Sequence, residues 1–163
     1  MTSPPDPDPD PDPDPTHATG LLIYEVLRLH GRLIAAGDAL MAGLGLSSAR
    51  WQVLGTVAAS AAPLTVSDVA RILGQSRQSV QRLVNEMERD GLLEAAANPA
   101  HRRATLVRLT AAGRDLHAAA EARRLPWTEG LAAGLGGADA AQAARTLAAL
   151  RRLLERAEPP AGG

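Results

Sequence analysis

The chain of 163 residues has no cysteine, which excludes disulfides, thiolate metal centres and thiol-based sensing of oxidants. Phenylalanine is absent too, and two tryptophans and one tyrosine are all the aromatic surface there is, so a core must be sealed by aliphatic side chains. No stretch approaches the roughly 20 uninterrupted apolar residues of a membrane helix. The N-terminus has neither the basic nor the apolar region of a secretory signal, and a cytoplasmic protein with no membrane partner is expected. The parts of familiar catalytic sites are missing: no glycine-rich phosphate loop, no nucleophile elbow, no paired-carboxylate or metal-ligand spacing. An enzyme is therefore not expected, and no cofactor or metal is implied.

Lysine is the remaining absence, because all 17 basic residues are arginine. Five of the 18 acids, Asp6, Asp8, Asp10, Asp12 and Asp14, alternate with proline near the N-terminus. Without residues 1–16 the chain carries 17 cations against 13 anions, an excess that suits nucleic acid without demanding it. Proline alternating with acid removes backbone donors, repels itself and has nothing to bury, so residues 1–19 are expected to be a disordered, polyproline-like tail. Such a tail is either a spacer or a source of negative charge that competes with DNA for arginines. The length left, residues 20–156, suits one domain, with residues 157–163 a flexible end.

What is present is concentrated between residues 63 and 113. Thr65 is followed three residues later by Asp68, the spacing of a capping box, and Val69, Ile72 and Leu73 recur at helical period. Gly74 permits a tight turn, and Ser76 is a good N-cap for a second helix. In that helix Val80, Leu83, Val84 and Met87 share one face and must meet the core. Arg77, Gln78, Gln81, Arg82 and Asn85 are left outside, with Ser76 and Ser79 at the helix start. Glutamine and asparagine can pair bidentately with adenine and arginine with guanine, in a groove wide enough for a helix. The alternative is an ordinary solvated face.

After Gly91, residues 92–95 and 105–109 read as two short strands around a loop that holds Asn98, Pro99, His101, Arg102 and Arg103. His101, Arg102 and Arg103 near the tip are placed to meet phosphate or a narrow minor groove, although either arginine could instead brace a neighbouring acid. Thr110 has the character of an N-cap for a long helix carrying Leu116, Ala119 and Ala120, expected to kink or restart near Pro126 and Trp127. Residues 21–42, with Leu22, Val26, Leu29, Leu33, Ala36 and Leu40, and residues 138–156 are apolar helical runs. They hold more leucine and alanine than one small domain buries, and burial between two chains is the simplest outlet. Ala143, Ala144, Ala148 and Ala149 would let helices approach closely, or serve helix propensity alone.

Residues 21–156 resemble the MarR (multiple antibiotic resistance regulator) family. Its wing pattern, Asp-x-x-Asp-Arg-Arg followed by a strand and Leu-Thr-x-x-Gly, is met by Asn98, His101, Arg102, Arg103, Leu109, Thr110 and Gly113, with both acids replaced. Leu46 to Leu54 is similar to the family's second helix, and Gly91-Leu92-Leu93 to its turn after the reading helix. The resemblance implies a mainly α fold with a small β-wing, a winged helix-turn-helix whose DNA-reading part spans about 46–109. It also implies dimerisation helices at about 20–43 and 110–156. The expected function is a ligand-responsive repressor that binds an inverted repeat in double-stranded DNA as a homodimer, although activation would leave the same sequence. A small aromatic or anionic effector would sit between the dimer helices and the reading head, where His30, Arg32, Trp51 and His117 are the candidates by region. Trp51 on the apolar face of its helix also reads as core. The rival reading is a winged helix that docks a protein partner and reads no DNA sequence.

Overall fold

The computed structural model describes residues 14–99 and 104–157. Helix α1 (Pro15–Met41) starts earlier than the tail boundary expected at residue 19, for a local reason. Asp14 accepts hydrogen bonds from the amides of Thr16 and His17, and Pro15 occupies the first turn, where its missing N–H costs nothing. A 3-10 turn, Ala42–Leu44, closes on Gly45 at a φ of 66°, and Ser47 then caps α2 (Ser48–Ala59). Strand β1 (Leu64–Thr65) leads into α3 (Val66–Leu73), α4 (Arg77–Arg89), β2 (Leu93–Ala96) and β3 (Leu106–Leu109), and two long helices follow, α5 (Ala111–Leu135) and α6 (Gly137–Ala157).

The sheet is antiparallel in the order β1-β3-β2, with Leu93 opposite Leu109 and Glu94 opposite Arg108. Its two hairpin strands fall within one residue of the spans expected for them. The third, β1, has only two residues, too few for any alternation to be visible. The core gathers Val53 and Leu54 of α2, Val69 of α3, and Val80, Leu83, Val84 and Met87 of α4. Leu93 and Val107 of the wing base, Met41 of α1 and Ala120 of α5 close it. Fully burying such a side chain is worth about 1.5–3 kcal/mol, so this cluster is what fixes α4 against the rest. Ile72, read from its period as a core position, is 48% exposed, because Val66, Val69 and Ala70 turn the buried side of α3 away from it.

One further expectation is modified. Helix α5 neither stops nor restarts at Pro126 but continues through it. Pro126 is exposed and forfeits one intrahelical bond, whereas Gly136, at a φ of 72°, supplies the actual break. In α6 no residue is buried within the protomer, with Leu153 and Leu154 more than half exposed. Leu21, Ile23, Leu27 and Leu29 of α1 are likewise exposed. Among the described residues no helix is long and apolar enough to cross a membrane.

Candidate nucleic-acid interface

The reading head is assembled by local hydrogen bonds. Thr65 and Asp68 form the full capping box at the start of α3: the Asp68 amide donates to Thr65 Oγ1 at 3.2 Å and Asp68 Oδ2 accepts from the Thr65 amide at 3.0 Å. Hydrogen bonds from the Thr65 side chain and backbone, and then Arg71, hold the Asp68 carboxyl below its ordinary pKa. Gly74, at a φ of 63°, ends α3 in the left-handed conformation, and the Gln75 amide returns to the Ala70 carbonyl at 2.9 Å. Ser76 Oγ then accepts from the Ser79 amide at 3.2 Å and bonds Ser79 Oγ at 2.9 Å, so these two serines start α4 together.

With Val80, Leu83, Val84 and Met87 buried, Arg77, Gln78, Arg82 and Asn85 are exposed along the outer face and Gln81 is half-buried beside them. Gln81 Nε2 donates to Asn85 Oδ1 at 2.8 Å, which orients both amides and leaves an acceptor on Gln81 and donors on Asn85 facing outward. The side chains of Arg77, Gln78 and Arg82 make no hydrogen bond or ion pair among the described residues, so their donors are available to a ligand. His101, Arg102 and Arg103 lie outside the described residues; the strands that lead to them are in place.

The C-terminal end of α4 is held from outside it. Asp90, the residue closing the helix, receives an ion pair from Arg50 of α2 at 2.5 Å. Arg50 is mostly buried, and its Nε has no partner among the described residues, so Asp90 is its main compensation. The Leu109 to Gly113 motif acts at the same corner. Thr110 Oγ1 donates to the Gly91 carbonyl at 2.6 Å, the Thr110 amide to the Leu92 carbonyl at 3.1 Å, and the Gly113 amide to Thr110 Oγ1 at 3.0 Å. Gly113 lies so close to the Leu92 carbonyl that a Cβ would collide with it. One threonine thus caps α5 and ties it to the turn that follows α4.

A crevice runs beside Trp51, with a chamber of about 860 Å³ lined by residues that include His30, Ser48, Trp51, Gln52, Gln75 and Trp127. A second chamber of about 570 Å³ meets Trp51, Gln52, Ile72 and Glu121. Trp51 is half-buried, packing one side on the core and lining both chambers with the rest. Of the four residues singled out by region, His30 and Trp51 meet here. Arg32 lines a separate surface groove with Glu25, Arg28 and Leu29. His117 is half-buried near Glu121, whose carboxyl is held low mainly by its hydrogen bonds to Arg124 and also by the charges of Arg124 and His117. Gln52, Glu121 and Trp127 were not singled out, since only the packing of α5 against α2 brings them to one place. No group of three metal-ligating side chains occurs among the described residues.

A two-helix unit whose second helix exposes a polar face beside a two-stranded wing defines the winged helix-turn-helix class. The chain belongs to the MarR family: the sequence profile of that family matches residues 44–104. An uncharacterized protein of Mycobacterium tuberculosis (strain H37Rv) is 39% identical over 133 residues, covering 82% of this chain and 90% of its own length. The transcriptional activatory protein BadR of Rhodopseudomonas palustris is 33% identical over 97 residues, 58% of this chain and 55% of its own. The crystal structure of the M. tuberculosis transcriptional regulator MosR in complex with DNA superposes with a TM-score of 0.71 at 26% identity, over 84% of this chain and 98% of that one.

Proposed function

We propose that the protein is a sequence-specific DNA-binding transcription regulator that acts in the cytoplasm as a homodimer on an inverted repeat. Each protomer lays α4 in a major groove, the two grooves about 34 Å apart, and brings His101, Arg102 and Arg103 of its wing to the neighbouring backbone or minor groove. The observation that carries this reading is the outer face of α4, where Gln78, Gln81, Arg82 and Asn85 project from a helix whose inner face and last turn are fixed. The exposed leucines of α1 and α6 support the dimer, because one protomer gives them nothing to pack on. Binding of an apolar or aromatic effector in the crevice beside Trp51 would shift α5 and α1 against the reading head and so loosen DNA, and the chambers have the volume of ordinary small-molecule sites. Repression follows where the operator overlaps a promoter and activation where it lies upstream. The likeness to BadR favours keeping activation beside repression.

Selection from a pool of random duplexes, followed by fluorescence anisotropy at rising salt, tests the reading. An enriched inverted repeat whose affinity falls as salt rises is the expected result. No enrichment above a scrambled pool would overturn it in favour of a protein-docking winged helix.

A further inference from the structure

The corner between α1 and α2 is closed by two polar side chains that come from different helices. Asp38, near the end of α1, accepts a hydrogen bond at 2.6 Å from the backbone amide of Ser48, the first residue of α2. A carboxylate there also meets the positive end of the helix dipole. Gly37 makes the approach feasible, since it is buried and a Cβ on it would stand 2.7 Å from Ser48 Oγ. On the other side of the corner, Arg123 of α5 donates through Nη1 to the Leu40 carbonyl at 3.3 Å. Gly43 leaves room for that guanidinium, because a Cβ on it would stand 2.9 Å from Nη1. The two glycines are thus small where the two clasps pass.

These contacts lie between the helices that carry the exposed apolar faces and the helix that braces α4. From Asp38 the path runs to the start of α2, then through Arg50 to Asp90 at the end of α4. Apolar surfaces can slide over one another at little cost, whereas a hydrogen bond to a helix terminus fixes direction as well as distance. We propose that Asp38 and Arg123 are positioning residues that set the angle between the dimer platform and the reading head, and hence the half-site spacing that the homodimer accepts. The proposal rests on the reading of α4 as a DNA-binding helix in a symmetric dimer. Each base pair added between half-sites moves them about 3.4 Å apart and turns them by about a tenth of a turn. A rigid corner rejects that change and a loosened one tolerates it.

The test uses the full chain and the operator that it selects, rebuilt with the half-sites one and two base pairs closer or further apart. Light scattering and thermal melts confirm the assembly and fold of each variant. The wild type should lose about tenfold in affinity for each base pair of displacement, while Asp38→Ala and Arg123→Met should lose about threefold or less. Asp38→Asn keeps an oxygen for the Ser48 amide and should restore the wild-type discrimination. Variants that weaken at every spacing by one common factor, or that keep the wild-type preference, would overturn the proposal. If Asp38→Ala does not fold, Arg123→Met alone decides by the same criterion. A wild-type protein that selects no operator would defeat the DNA-binding reading itself, an outcome separate from a retained spacing preference.

Discussion

Gly113 carries more of the architecture than its size implies, because the first turn of α5 can sit on the Leu92 carbonyl only if that position has no side chain. Gly113→Ala should cost about 1–3 kcal/mol, read as a lower urea midpoint with an unchanged slope, since the obstructing atom is backbone and cannot swing aside. Asp68 makes a prediction in pH. Its folded pKa is lowered, so its contribution is present above the ordinary aspartate value near ~4 and is lost as pH falls through the lowered one. The stability gap between wild type and Asp68→Ala, followed by denaturation from about pH 6 downward, should therefore narrow on acidification. The caps at Thr65, Ser76 and Thr110 were legible in the sequence because each joins residues three apart. The Arg50–Asp90 pair spans forty positions and the Asp38–Ser48 bond ten, and no local pattern announces either.

Helix α4 was legible as an element because its four buried residues repeat at 3.6 and its cap precedes them directly. Its clamps were not. Asp90→Ala should leave a mostly buried guanidinium with an unpartnered Nε and cost about 1 kcal/mol, at the low end for such losses because Asp90 itself is half exposed. It should also weaken operator binding by freeing the last turn of α4, measured as a faster off-rate. Periodicity misplaced Ile72 because a helix of eight residues has room for only one narrow buried stripe, and α3 turns that stripe toward α2 and α4. A kink or restart was expected around Pro126, but on an exposed helix face one lost hydrogen bond does not end a long helix, and a glycine at positive φ does.

Apolar terminal helices with nothing to cover them were evident in composition and remain so in the folded protomer, where α6 buries no residue. Deleting residues 138–163 should abolish tight operator binding and dimer formation, checked by light scattering beside anisotropy. A folded monomer that still binds the full repeat at wild-type affinity would contradict the dimer. The crevice was legible only as a region, because its walls come from α1, α2, α3, α4 and α5 and only tertiary packing brings them together. Both tryptophans of the chain line it, so a bound effector should change intrinsic fluorescence, and Trp51→Leu should remove most of that change.

Sequence-selective reading of DNA by α4 is most directly tested by replacing Gln78, Gln81 and Arg82 one at a time with alanine and measuring affinity for the operator and for random duplex in parallel. Each substitution should cost about 1–3 kcal/mol on the operator and relax the preference at one base position, with random-DNA affinity nearly unchanged except for the charge lost at Arg82. Equal losses on operator and random DNA for all three variants would contradict it.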